Sequence, residues 1–106
     1  MKLKDFMTEG IKVYLDDERK PPAGWKLVKW PDEVIALMKK GNVDEISLDH
    51  DLGDDKRGTG YDVLTWLEKE VVLNGFKPPK INIHTANISA RKKMEGAKKS
   101  IERRSK

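Results

Sequence analysis

Glu45-Ile46-Ser47-Leu48-Asp49-His50-Asp51-Leu52-Gly53 is the stretch that decides how this chain is read. An apolar-leaning run, Ile46 and Leu48, stops at two carboxylates around an imidazole and then a glycine. That is the pattern of a short buried strand delivering ionisable side chains at its carboxyl end. In an open parallel sheet, that end is where ligands bind. Ile11-Lys12-Val13-Tyr14-Leu15 repeats the pattern: a β-rich apolar segment that runs into Asp16 and Asp17.

Outward from these two segments, Glu18 to Gly24 holds two prolines and a glycine, which leaves room for a loop with at most one helical turn. Trp25 to Trp30 alternates apolar and basic side chains, as an edge strand with one wet face does. Pro31 with Asp32 and Glu33 opens a helix, Val34, Leu37 and Met38 share one of its faces, and Gly41 stops it. The third strand is Asp44 to Asp49. After an acidic loop from Gly53 to Gly58, Thr59-Gly60-Tyr61-Asp62 has capping-box spacing with Asp62 in place of the usual Glu. The helix it starts carries Leu64, Leu67 and Val71 and ends at Asn74-Gly75. Pro78-Pro79 breaks the chain, Lys80 to Asn87 gives a fourth strand running into a polar end, and a last helix aligns Ala90, Met94, Ala97 and Ile101 around a weakening Gly96.

Strands separated by helix-length segments imply right-handed crossovers and a parallel sheet. The expectation is one α/β domain over residues 1–106, with its core at about 11–103 and a three-layer flavodoxin-like architecture of about four strands in the order 2-1-3-4. Strands one and three are then neighbours, and Asp16, Asp17 and Asp49 meet at the switch point between them.

Charged residues make up 38% of the chain and hydrophobic ones 37%, so the core is lean and the helices one-sided. With no cysteine, disulfides and thiolate metal sites are excluded, and only carboxylate and imidazole ligands remain. No signal-peptide pattern or long apolar run is visible, which predicts a soluble, cytoplasmic protein with no membrane contact. The net charge of +4 is uneven. From Ile88 to Lys106, eight basic residues face Glu95 and Glu102, giving +6, so the rest of the chain carries −2. This C-terminal helix can attract a polyanion such as RNA, although a solvated helix face has the same composition.

Carboxylates crowded at one point repel one another, and a divalent cation relieves the repulsion. Oxygen ligands favour Mg2+ (or Mn2+), here held by Asp17 and Asp49 with Asp16 or Asp51 in support; the bland reading is that Asp16 and Asp17 begin a solvated turn. His50 and His84 are the only histidines. Imidazoles across a phosphate can divide the roles of general base and general acid, and equally each can be a structural hydrogen-bonding residue. Thr85 and Asn87 can donate to phosphate oxygens or cap the final helix. Arg91 can reach the same phosphate or lie on the surface. Of the aromatics, Trp25 and Trp30 can stack on a base, Trp66 suits partial core, and Tyr61 is expected at the site mouth.

Leu15-Asp16-Asp17-Glu18, Leu48-Asp49 and Thr85-Ala86 resemble the strand ends of response-regulator receiver domains. The resemblance implies Asp49 as phosphoacceptor, Asp16 and Asp17 as metal ligands, and Thr85 as a phosphate contact. The chain departs from full receivers in lacking the first helix, and the fifth strand with its lysine. Residues 15–22 (LDDERKPP), 48–53 (LDHDLG), 59–64 (TGYDVL) and 84–87 (HTAN), with Met94, are together similar to a narrower group, the cyclic-phosphate processing receiver domains. That resemblance implies a metal-dependent phosphoesterase for cyclic or terminal phosphates of nucleotides or RNA ends, including RNA repair settings. In such a hydrolase His50 or His84 is the base and the other the acid, or Asp49 attacks as a nucleophile. Asp49-His50-Asp51 also fits the DxD opening of haloacid-dehalogenase phosphatases, but the chain is too short for the rest of that fold. The competing class is a non-catalytic module that captures a phosphorylated ligand, nucleotide or protein partner; an accessory or phage-type inhibitor built on the scaffold is a third.

Overall fold

A computed structural model describes residues 10–54 and 56–105. Along the chain run β1 (Ile11–Leu15), β2 (Trp25–Val28), α1 (Pro31–Lys40), β3 (Val43–Leu48), α2 (Gly60–Asn74), β4 (Lys80–Ile83) and α3 (Ile88–Arg104). The strands form one parallel sheet in the expected order, β2-β1-β3-β4.

The local signals act as anticipated at most element ends. Thr59 Oγ1 accepts the Tyr61 N–H at 3.2 Å, while Asp62 Oδ2 accepts the Thr59 N–H at 2.8 Å, so the box with aspartate closes. Gly75 ends α2 in the left-handed conformation that suits glycine. Asn87 Oδ1 accepts the Ala90 N–H and caps α3, which continues through Gly96. Two strands are shorter than expected. β2 stops at Val28 because Glu33 Oε1 folds back to accept the N–H groups of Lys29 and Trp30 at 3.0 and 2.9 Å, which commits those residues to the start of α1. β4 stops at Ile83, although the His84 N–H still reaches the Leu48 carbonyl at 3.0 Å.

Register explains both core and site. Leu15 lies opposite Leu48, and Leu48 opposite Ile83; one step below, Val13, Ile46 and Ile81 align. All six are buried on one face against Val34 and Met38 of α1, Val63, Leu64, Leu67 and Val71 of α2, and Met94 and Ile101 of α3. Burial of that apolar surface is the main stabilising term of the domain. Among the described residues only two of the three expected layers are filled. Both helical crossovers, β2 to β3 and β3 to β4, step across the sheet in the same direction, so right-handedness puts their helices on the same side. The other side carries Tyr14, Leu27, Ser47 and Asn82 in register. Leu27 is 47% exposed there.

Candidate acidic site at the strand ends

The ladder that aligns Leu15, Leu48 and Ile83 sets the residues that follow them along one rim. The Asp49 N–H donates to the Leu15 carbonyl at 3.0 Å, so the turn out of β3 begins beside the turn out of β1. Asp16, Asp49 and His84 each offer a ligand atom within 4.8 Å of the others. A cleft of about 340 Å³ opens over them, lined by Asp16, Asp17, Glu18, Asp49 and Asp51 together with Arg19, Gly53, Thr85 and Ala86. The adjacency expected of Asp16, Asp17 and Asp49 is therefore present, and Asp51 joins them.

These carboxylates are not equivalent. Asp16 is 2% exposed and fully engaged. Its Oδ1 accepts the N–H groups of Glu18 and Arg19 at 2.8 and 2.9 Å, and its Oδ2 faces His84 Nε2 at 2.9 Å and Arg19 Nη1 at 3.2 Å. Burial alone would raise its pKa, but the two backbone donors and His84 outweigh it and hold the carboxyl below its ordinary value. Asp49 is also buried, yet its Oδ1 accepts only the His50 N–H at 2.8 Å, and Oδ2 meets Arg19 Nη1 at 4.0 Å, beyond hydrogen-bond range. Asp49 Oδ2 is thus the buried carboxylate oxygen best able to take a ligand.

His84 is placed differently from a free base. Burial pushes its pKa below the usual imidazole value, with Asp16 pulling the other way, so the ring is neutral near pH 7. An ionised Asp16 requires the proton on Nε2; Nδ1 is then an acceptor, and Ser47 Oγ donates to it at 2.8 Å. Tyr14 stacks on the ring at 4.3 Å and 4°. Both nitrogens are engaged, and the ring is held on its flat side. His50 instead places Nδ1 2.8 Å from Asp51 Oδ1, and it is not among the residues that line the cleft.

Thr85 is 2% exposed at the cleft, and its Oγ1 accepts the Asn87 N–H at 3.1 Å. Asn87 caps α3 and approaches Asp51 Oδ2 at 3.5 Å. Arg91 donates to the Thr85 carbonyl at 3.3 Å, which ties it to the rim. The aromatics lie elsewhere: Trp66 packs edge-on against Phe76, Trp25 against Tyr14, Trp30 sits under Arg57, and Tyr61 lies beneath Lys93 Nζ rather than in the cleft lining. Two participants were not singled out as site residues by the sequence. Arg19, one of the chain's 22 basic residues, lies in the LDDERKPP string but in a loop with no periodicity to show its role, and Ser47 reads as an ordinary strand residue. Strand parity could have found Ser47, since Tyr14, Asp16, Ser47 and His84 share one alternation phase.

The lining carries five carboxylates against one guanidinium, a formal charge of −4. A phosphate entering such a field is repelled unless a cation comes with it. The cluster of Asp16, Asp49 and His84 offers two carboxylates and one imidazole, further carboxylates line the cleft, and Asp49 Oδ2 is open, so the residues fit a divalent metal ion. Among the described residues no helix is long and apolar enough to cross a membrane. Residues 11–100 match the family model described as the cyclic-phosphate processing receiver domain. No curated protein and no solved structure matches the chain.

Proposed function

The chain belongs to the cyclic-phosphate processing receiver domain family, and from that membership we propose that it is a Mg2+- or Mn2+-dependent hydrolase of cyclic phosphodiesters at nucleotide or RNA ends. The observation that carries the reading is Asp49: a buried carboxylate with one oxygen open to a cleft of net −4, beside Asp17, Asp51 and the Thr85 hydroxyl. Asp17 and Asp49 would hold the cation, with Asp51 within the same lining and Asp16 fixing the floor. When bound, the cation polarises a phosphoryl oxygen and offsets the charge of the cleft.

The reaction adds water at phosphorus and breaks one ribose P–O bond, so one proton leaves the water and one joins the departing oxygen. His50 is the favoured proton carrier. Asp51, a residue of the cleft lining, holds the ring through Nδ1, which would leave Nε2 to take the proton of the attacking water and return it to the departing ribose oxygen. His84 has no free nitrogen, so its role becomes that of a positioning residue that keeps Asp16 ionised and fixed. Thr85 accepts from the backbone and keeps its hydroxyl hydrogen for a phosphate oxygen, while Asn87 and Arg91 supply donors at the rim. The basic face of α3 would lie under the nucleic-acid strand that follows the scissile group.

The engagement of His84 also favours a second reading, a module that captures a phosphorylated ligand without turnover. Incubation with 2′,3′-cyclic mononucleotides and Mg2+ or Mn2+, followed by chromatographic separation of the monophosphates, separates the two. Hydrolysis lost in Asp49→Asn and His50→Ala supports the enzyme. Saturable binding with no product on any cyclic phosphate overturns it in favour of capture.

A further inference from the structure

Arg19 lies where a cation is expected. Its Nη1 is 3.2 Å from Asp16 Oδ2 and 3.1 Å from the His84 carbonyl, so a single guanidinium nitrogen joins the ends of β1 and β4 by hydrogen bonds, and it faces Asp49 Oδ2 after β3 across 4.0 Å. Asp16 raises the arginine's own pKa further, although desolvation opposes this. The two anchors differ in strength. Asp16 keeps its two backbone donors and His84 if the arginine leaves, whereas Asp49 Oδ2 has no hydrogen bond from Arg19 to lose. The arginine side chain is 46% exposed, so it is a tenant of the cleft rather than part of its floor.

We infer that Arg19 is a displaceable internal counter-ion that couples cation binding to phosphate binding; the inference rests on the metal-dependent reading above and deepens it. A divalent cation taking Asp49 Oδ2 brings its charge within a few ångströms of the guanidinium, and the two repel. Cation alone therefore binds against the arginine. A phosphate alone meets the carboxylates. When both arrive, the guanidinium can release Asp16 and turn its planar fork of donors onto the phosphate oxygens, the geometry in which arginine binds best. The cleft then favours the cation–phosphate pair over either ion, and by linkage each ion raises the affinity for the other equally. A phosphoryl group without its metal ion, or a metal ion without substrate, is held poorly.

Titration of Mg2+ into the protein, with and without saturating inorganic phosphate, tests this by calorimetry and needs no turnover. For the wild type, phosphate should tighten Mg2+ binding by a factor within the roughly 5–150-fold range of ordinary coupling. Arg19→Gln should bind Mg2+ alone more tightly than the wild type and lose the gain from phosphate. Arg19→Lys keeps the charge and lacks the fork; it should retain the weak binding of Mg2+ alone and show a reduced gain. Circular dichroism establishes that each variant is folded, and the retained donors of Asp16 make that outcome expected. Arg19→Gln binding Mg2+ no more tightly than the wild type, or keeping the full gain from phosphate, overturns the inference. Because hydrolysis is not measured, coupling that appears without turnover would retain the role of Arg19 and reject only the hydrolase.

Discussion

Gly60→Ala is a methyl group's worth of change at the point where α2 touches the site, and its effect can be worked from the structure. A Cβ at Gly60 would lie 1.8 Å from the Asp49 carbonyl oxygen, 2.9 Å from the Asp49 carbonyl carbon and 3.0 Å from Met94 Cε. Its φ is not in the left-handed region, so the penalty is steric alone. The nearest partner is backbone, which cannot rotate away, and opening a 1.8 Å contact to the 3.0 Å or more that real Cβ atoms keep requires the start of α2 to separate from the end of β3. Overpacking a fixed core costs about 1–3 kcal/mol, and a backbone neighbour places this case at the upper end. At about 4–8 °C per kcal/mol for a domain near this size, the melting temperature should fall by roughly 10–20 °C. Thermal unfolding followed by circular dichroism reads the shift, and Mg2+ titration of the folded variant should show weakened binding because Asp49 moves with its carbonyl. Unchanged melting and unchanged Mg2+ affinity would refute the close approach and the placement of Asp49 that depends on it.

Ser47→Ala removes the donor to His84 Nδ1 and leaves a partly buried acceptor unpaired, a loss of about 1 kcal/mol and ~5 °C in melting temperature. Melting equal to wild type would contradict the Ser47–His84 hydrogen bond. Acidification should weaken the metal-free protein in two stages. His84 has a folded pKa below its ordinary 6.5, so the unfolded chain binds more protons in that window, and stability present above pH 6.5 is lost as pH falls towards the folded value. Asp16, depressed below 3.8, adds a loss of the same sign at lower pH. Urea unfolding in EDTA at pH 7 and pH 5 should show the first loss in the wild type and not in His84→Gln; a wild type more stable at pH 5 than at pH 7 would reverse the sign.

Much of this arrangement was legible because local and global signals agree. Apolar runs that end in acids located the ends of β1 and β3, and the helix-length spacers before β3 and β4 marked a parallel sheet, whose observed order is the expected 2-1-3-4. Thr59 with Asp62, and Asn87, marked their helix starts through short-range hydrogen bonds that depend only on spacing. Features that depend on through-space contact were harder to see. Arg19 stands inside the LDDERKPP string, but neither charge nor spacing showed its role, which is set by a guanidinium reaching across to the ends of β3 and β4. His84 resembled a free proton carrier in sequence, since its two partners, Ser47 and Asp16, are 37 and 68 residues away. The uncovered side of the sheet follows from topology: with no helix between β1 and β2 and no fifth strand among the described residues, no crossover is left to reach it.

On the proposed reading the ends of β1 and β3 make one cation-binding pocket. Adding substoichiometric Mn2+ to isotopically labelled protein and recording amide spectra tests it most directly. Paramagnetic broadening should concentrate on Asp16, Asp17, Asp49, Asp51 and Thr85, and should vanish in Asp49→Asn. Broadening centred on other carboxylates, such as Asp32 or Glu68, or left intact in Asp49→Asn, would contradict the account.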